Sequence, residues 1–336
     1  MSSKVTNVDI VIGLAWGDEA KGKISSHLAS SGEYNLVARW GGGNNAGHTV
    51  FIEGNSYKTH LVPSGVFHGI KSLVGPGCVL HPESFFKELD YLELNGFDTS
   101  LVHVHPNCHI VTSEHIEEDK ASYHEKLGTT LRGIAPVYAS KYARTGILAK
   151  DIPHLEPFMW SEELSGNILC EGAQGVWLDI DHGNYPYVTS SSTLPYAACS
   201  LGFAPQKIRN IYGAIKAYDT RSGKDPMFPE SLLEDPELLN IANSGMEYGV
   251  TTGRRRKVQW LNLNLLKKSI NITGTTIVVL SKIDILEKTG VYKLISDGQV
   301  ISFTSLNNWS VFVENTLTKE CPLMSQFILS SSPERI

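Results

Sequence analysis

Four stretches of this chain combine residue types and spacings suited to chemistry. The first is Trp16-Gly17-Asp18-Glu19-Ala20-Lys21-Gly22-Lys23. Between a strand and a helix, such a glycine turn offers free backbone N–H groups to a phosphate at the helix N-terminus. Gly17 and Gly22-Lys23 fit the first seven positions of a P-loop, but Ile24 stands where Ser or Thr would hold magnesium. The loop instead carries a carboxylate, Asp18, beside the phosphate site, which suggests reaction as well as binding. A tight turn relieved by glycine explains the same residues equally well when the loop is read alone. The second stretch is Gly41-Gly42-Gly43-Asn44-Asn45-Ala46-Gly47-His48-Thr49, where glycines allow close backbone approach and Asn45 and His48 bring functional groups. In the third, Thr251-Thr252-Gly253-Arg254-Arg255-Arg256-Lys257, four consecutive cations precede the apolar Trp260-Leu261. A position inside a fold favours an anion clamp over a solvated patch. The fourth is Ser281-Lys282-Ile283-Asp284, at the end of an apolar run. There the carboxylate can accept from the N1–H and 2-amino groups of guanine, a donor pair that adenine lacks.

Elements must hold these stretches in place. Val8 to Ile12, Asn35 to Arg39, Asn167 to Cys170, Ile208 to Lys216 and Thr275 to Leu280 read as buried strands, with a last one at Phe327 to Leu329. Lys23 to Ser30, Pro82 to Leu94, Ser113 to Leu127 and Ser231 to Ser244 read as helices. Strands alternating with helices predict an α/β fold: a central, mostly parallel sheet with helices on both faces and a P-loop-like phosphate loop after the first strand. Two further loops suit anions or nucleotides, Gly128-Thr129-Thr130-Leu131-Arg132 and Glu171-Gly172-Ala173-Gln174-Gly175. Asp179, Asp181 and His182 lie close together but lack a second His or Cys at ligand spacing, which favours a structural turn over a metal site.

Composition narrows the classes. The chain has 336 residues, 41% hydrophobic and 19% charged, as in ordinary globular proteins. A net charge of −6 argues against nucleic acid as the main partner. Five scattered cysteines predict reduced thiols in a cytoplasmic protein. No apolar run reaches membrane-spanning length, and Met1 to Lys4 leads straight into a strand without a signal-peptide core.

Taken in order, these blocks, with Tyr185-Pro186-Tyr187-Val188-Thr189-Ser190-Ser191, resemble the adenylosuccinate synthetase family from the first strand to the last turn. The resemblance implies one domain over 1–336, similar to the compact archaeal and phage branches. It implies a C–N bond-forming ligase that spends GTP, with Mg²⁺, to join L-aspartate to C6 of a 6-oxopurine nucleotide. Asp18 matches the general base and His48 the residue that donates to the phosphate in flight. Asp18 and the Gly47 carbonyl match the metal ligands. Asn45, Thr130, Gln174, Thr189 and Arg254 match residues that bind the purine nucleotide, with Arg144 supplied by the neighbouring subunit of a homodimer. Thr251, Thr252, Arg254 and Arg256 match the aspartate site. Gly17, Lys21, Gly22, Lys23, Lys282, Asp284, Ser330 and Ser332 match the GTP site. The resemblance implies neither nucleic-acid nor membrane partners.

Several positions depart from the family pattern. Ala15 replaces a usual Gln, Ala20 and Leu131 replace Gly, Asn44 replaces His, Ser222 replaces a ribose-side Val, and Ser332 replaces a Gly of the guanine loop. Small residues near the purine lean the expectation toward dGMP as acceptor, giving a 2-aminoadenine nucleotide precursor, over IMP. Some phage members lose the carboxylate that Asp18 represents, and this chain keeps it. A non-catalytic GTP-binding switch would explain the phosphate loop and guanine motif, but not Asp18, His48 and the arginine run together. A P-loop kinase is weakened by Ile24.

Overall fold

The computed structural model describes residues 4–249, 253–332 and Ile336. Its centre is set by strands that are apolar on both faces, the pattern of a sheet covered on each side. In Val5–Gly13 (β1), Ile10 and Ile12 point into one core while Val11 points into another. Leu36–Arg39 (β2) and Gly166–Glu171 (β5) divide in the same way, Ala38 and Cys170 to the first core, Val37 and Leu169 to the second. With Lys71–Val74 (β3), Val102–Val104 (β4), Ile208–Lys216 (β6), Ile277–Ser281 (β7) and Gln326–Ser330 (β8), these form an eight-stranded sheet of order β8-β7-β6-β1-β5-β2-β3-β4. Every neighbouring pair is parallel. The α/β expectation holds, with a sheet more uniformly parallel than foreseen.

Helices cover both faces. Lys21–Ala29 (α1) lays Ile24 and Ala29 onto the second core. The helices Leu263–Thr273 and Leu306–Glu320 bring Leu266, Ile270, Trp309 and Val313 to the first. The predicted helix Pro82–Leu94 forms over that span and buries Phe85, Leu89 and Leu92 against Val74, Val102 and Val104 at the far end of the sheet. The helix expected over 113–127 is instead broken into Ser113–Glu118, a wider π-type turn Asp119–Tyr123, and His124–Leu127. That break lets the buried Asp119 carboxylate accept the Gly133 N–H at 2.9 Å, which anchors the threonine loop.

A second, four-stranded sheet was not foreseen. Its strands are Tyr218–Arg221, Lys257–Asn262, Lys293–Ser296 and Gln299–Ser302, short and mixed in direction. It matters because Tyr218–Arg221 continues directly from β6 and brings Arg221 to the cleft described below. The carboxyl ends of β1, β5, β6, β7 and β8 fall along one edge, at Gly13, Glu171, Lys216, Ser281 and Ser330. A parallel sheet binds its ligands at that edge. No helix among the described residues is long and apolar enough to cross a membrane.

Candidate active site

Above this edge lies a cleft of about 630 Å³. The loop after β1 forms its floor. Gly17, Asp18 and Ala20 all adopt left-handed backbone angles, with φ of 89°, 61° and 70°. Glu19 folds the loop from beneath: its Oε1 accepts the N–H of Ala15 at 3.1 Å and of Gly17 at 2.7 Å, and its Oε2 pairs with Lys21 at 2.7 Å. A side chain at Gly22 would stand 2.9 Å from the Cβ of His48. The bare backbone there lets α1 approach the histidine strand. Ala20 and Leu131, at positions where glycine was the expected residue, keep glycine-like φ of 70° and 58°. The loop shapes are therefore retained, with strain on the order of 1–2 kcal/mol at each.

His48 lines the cleft and its Nδ1 is hydrogen-bonded to Oε1 of Glu171. Oε2 of Glu171 accepts the Ser64 N–H at 3.0 Å. Burial alone would raise the Glu171 carboxyl, but the His48 ring, the Arg39 charge and the Ser64 bond keep it ionised, below the usual carboxylate range. Burial lowers His48, against the pull of Glu171. The pair fixes the ring and leaves Nε2 as the atom that a ligand can meet.

Asp18 faces Arg256, whose Nε donates to Oδ2 at 2.7 Å. Arg256 Nη1 donates to Glu247 Oε2 at 2.7 Å, and the same oxygen accepts from Lys216 at 2.8 Å. Near the far end, Lys23 donates to Ser330 Oγ at 2.6 Å, Ser281 Oγ at 3.2 Å and the Ser332 carbonyl at 3.0 Å. Burial pushes Lys23 down to about 8, opposed by Asp284 and assisted by Lys282. Lys282, at φ 69°, donates to the Gly245 carbonyl at 3.1 Å. Asp284 sits in the first turn of the helix Ile283–Thr289 and faces the cleft.

Most residues singled out in the sequence meet on this one surface. Gly17, Asp18, Lys21, Gly22 and Lys23 line it, as do Asn45, Gly47, His48 and Thr130. So do Gln174, Thr189, Arg256, Lys282, Asp284 and Ser332, while Ser330 lies buried against Lys23. Arg254 is set apart: its Nη1 donates to the Gly128 carbonyl at 3.1 Å, and it lines a small basic recess with Lys224, Arg255 and Lys257. Arg144 is exposed beyond the end of the helix Ile134–Ala143 and does not line the cleft of its own chain. Thr251 and Thr252 lie outside the described residues.

Ala15, expected to border the purine, is buried behind the wall, its carbonyl accepting the Trp177 N–H at 2.9 Å. Ala20 and Ser222 do line the cleft. Asp179 accepts the N–H groups of Asp181, His182 and Thr193, so that acidic cluster holds a turn. Sequence reading missed the roles of Glu171, Lys216 and Glu247. The first two carry a signal, a charged residue closing an apolar strand run; Glu247 carries none.

A model of the adenylosuccinate synthetase family matches residues 10–165 and 155–297. The chain belongs to this family. It is 37% identical over 334 residues to the adenylosuccinate synthetase of Brevibacillus brevis, covering 82% of this chain and 77% of that one. It is 38% identical over 335 residues to that of Clostridium perfringens, with the same coverage. Fully ligated adenylosuccinate synthetase from Plasmodium falciparum superposes with a TM-score of 0.82 at 25% identity, covering 98% of each chain. A cyanophage S-2L succinoaminodeoxyadenylate synthetase, bound to dGMP and to dATP as an energy donor, shares the fold with a TM-score of 0.75 at 21% identity, covering 98% of this chain and 94% of that one. As an adenylosuccinate synthetase-type protein, the chain is a C–N bond-forming ligase.

Proposed function

We propose that this family member uses GTP and Mg²⁺ to join L-aspartate to C6 of a purine nucleoside monophosphate, with dGMP the preferred acceptor. The observation that carries the reading is the convergence of Asp18, the Glu171-held His48, Arg256 and Asp284 on one cleft. The oxygen at C6 is a poor leaving group, so it must be phosphorylated before an amine can displace it. Asp18 takes the proton from purine N1, and O6 attacks the γ-phosphorus of GTP, breaking its bond to the β–γ bridging oxygen and releasing GDP. His48 Nε2, presented by Glu171, meets the phosphoryl group; the arriving negative charge favours the protonated ring, which then donates. Asp284 accepts from guanine of GTP, and Lys21 faces the phosphates. Arg256 takes a carboxylate of aspartate, whose amine displaces phosphate at C6.

The donor set fits magnesium. Asp18 and the Gly47 backbone offer hard oxygens on one cleft, and no group of three or more His, Cys, Asp or Glu that would form a protein cage occurs among the described residues. Asp18 and the Gly47 carbonyl would hold the ion, which supplies charge neutralisation at the transferring phosphoryl group.

For the acceptor, Ala20 supplies room, and Ser222 Oγ is buried on the cleft side without a hydrogen-bond partner. A purine 2-amino group needs that room, and at the ribose-side Ser222 a deoxyribose needs no partner for a 2′-hydroxyl. Incubation with equal dGMP and IMP, products separated by mass, tests it: the 2-amino deoxy product should predominate, and predominance of adenylosuccinate would replace dGMP by IMP. The exposed Arg144, outside its own cleft, supports a homodimer in which each chain completes its neighbour's site.

A further inference from the structure

We propose that Glu247 is the positioning residue of the carboxylate subsite, fixing the Arg256 guanidinium so that an incoming carboxylate can replace Asp18 on it. This rests on the reading of Arg256 as an aspartate ligand given above.

Glu247 is 1% exposed, and three donors converge on it. Oε1 accepts the Tyr218 hydroxyl at 2.7 Å; Oε2 accepts Lys216 at 2.8 Å and Arg256 Nη1 at 2.7 Å. The Arg256 N–H donates to the Glu247 carbonyl at 2.9 Å, so the two side chains leave a paired backbone side by side. The guanidinium is thus gripped from behind by Glu247 and from the cleft side by Asp18. The two grips are unequal. Glu247 is buried among two cations and a hydroxyl, whereas the Asp18 side chain is 29% exposed on the cleft wall. A carboxylate arriving from solvent therefore competes with Asp18 and leaves Glu247 in place. Its arrival transfers the Nε bond from Asp18 to the substrate and frees Oδ2 of the base.

Lys216 completes the arrangement. Asp18, Arg256, Glu247 and Lys216 sum to zero charge, which is what allows four ionic groups to share a largely buried wall. Burial would raise Glu247, yet Lys216 and Arg256 hold its carboxyl down to about 2, a fixed anion across the working pH range.

Glu247→Gln and Tyr218→Phe test the assignment in the full-length protein, with steady-state kinetics at varied aspartate and, separately, varied GTP. In Glu247→Gln an amide N–H₂ faces the Lys216 and Arg256 donors, so KM for aspartate should rise tenfold or more while KM for GTP stays within twofold. Tyr218→Phe removes one bond to Oε1 and keeps the charge, so KM for aspartate should rise by roughly threefold. It also serves if Glu247→Gln does not fold. A merely structural role would lower kcat or the active fraction and leave KM for aspartate unmoved. That result overturns the proposal. Arg256→Leu separates the two levels. If it raises KM for aspartate while the Glu247 and Tyr218 variants do not, the positioning role alone falls. If it leaves KM unchanged, Arg256 is not the aspartate ligand and both readings fall.

Discussion

Beneath the loop after β1 sits a carboxylate that the proposed chemistry does not use, and it gives a sharp test of the structure. Asp219, in the strand that follows β6, is buried, and its Oδ2 accepts the Asn262 N–H at 2.9 Å. Burial raises it from 3.8 to about 7, with the Glu19 charge adding and the Asn262 bond and Lys216 opposing. The folded chain therefore holds this proton more tightly than the unfolded chain. Its contribution to stability is full below pH 3.8, declines as pH rises, and is lost once pH passes about 7. A gap of roughly 3 pH units, at ~1.36 kcal/mol each, sets an upper bound of about 4 kcal/mol. Asp219→Asn keeps the acceptor for Asn262 and removes the charge, so it should stabilise the protein at pH 8 and much less at pH 5. About two-thirds of the interval lies between those pH values, so the differential gain is at most about 3 kcal/mol. With an unfolding entropy near 2.1 cal/mol/K per residue, this corresponds to a Tm advantage at pH 8 over pH 5 of up to about 4 °C. Thermal unfolding of both proteins at the two pH values measures it. An equal Tm change at both, or a loss confined to pH 8, would refute the claim that Asp219 is held protonated by burial.

Other expectations concern turnover. Asp18→Asn should keep nucleotide binding and lose about a hundredfold or more in kcat, because the base is gone while the loop persists; kcat within a few-fold of wild type would remove Asp18 from that role. The wild-type protein should prefer GTP to ATP by tenfold or more in kcat/KM, and Asp284→Asn should relax that preference, since an amide offers a donor where adenine needs one. Equal use of both donors by the wild type would sink the guanine assignment. Mixing Arg144→Leu with Asp18→Asn chains should restore part of the activity through hybrid dimers with one intact site; no recovery despite demonstrated subunit exchange would count against a shared site.

What the sequence carried well was whatever a period or a spacing encodes. β1, β6 and the helix Pro82–Leu94 were legible because both-face burial makes a strand continuously apolar and one-face burial gives a helix its stripe. The cleft was legible where a motif packs its lining side chains into consecutive residues, as around Asp18, His48 and Asp284. The second sheet was not, because its strands of four to six residues are too short for a period to emerge. Glu247 was invisible for a different reason. Its partners Lys216, Tyr218 and Arg256 are scattered along the chain, and only the fold brings these donors together. The misreading of Ala15 has the same origin: sequence adjacency to Asp18 says nothing of which side of the loop a methyl group faces.

The three bonds from Lys23 to Ser281, Ser330 and Ser332 have a bearing on how the protein is made. One ammonium near the start of the chain joins the ends of two strands that emerge from the ribosome some 258 and 307 residues later. Until β8 leaves the exit tunnel and docks beside β7, the end of the cleft near Lys23 and Asp284 lacks a wall, and Lys23 waits without the oxygens that hold it. On the proposed assignment of that end to guanine, nucleotide cannot template the early steps of folding. Its grip arrives only with the last strand of the sheet, and a nascent chain shorter than that should leave GTP untouched.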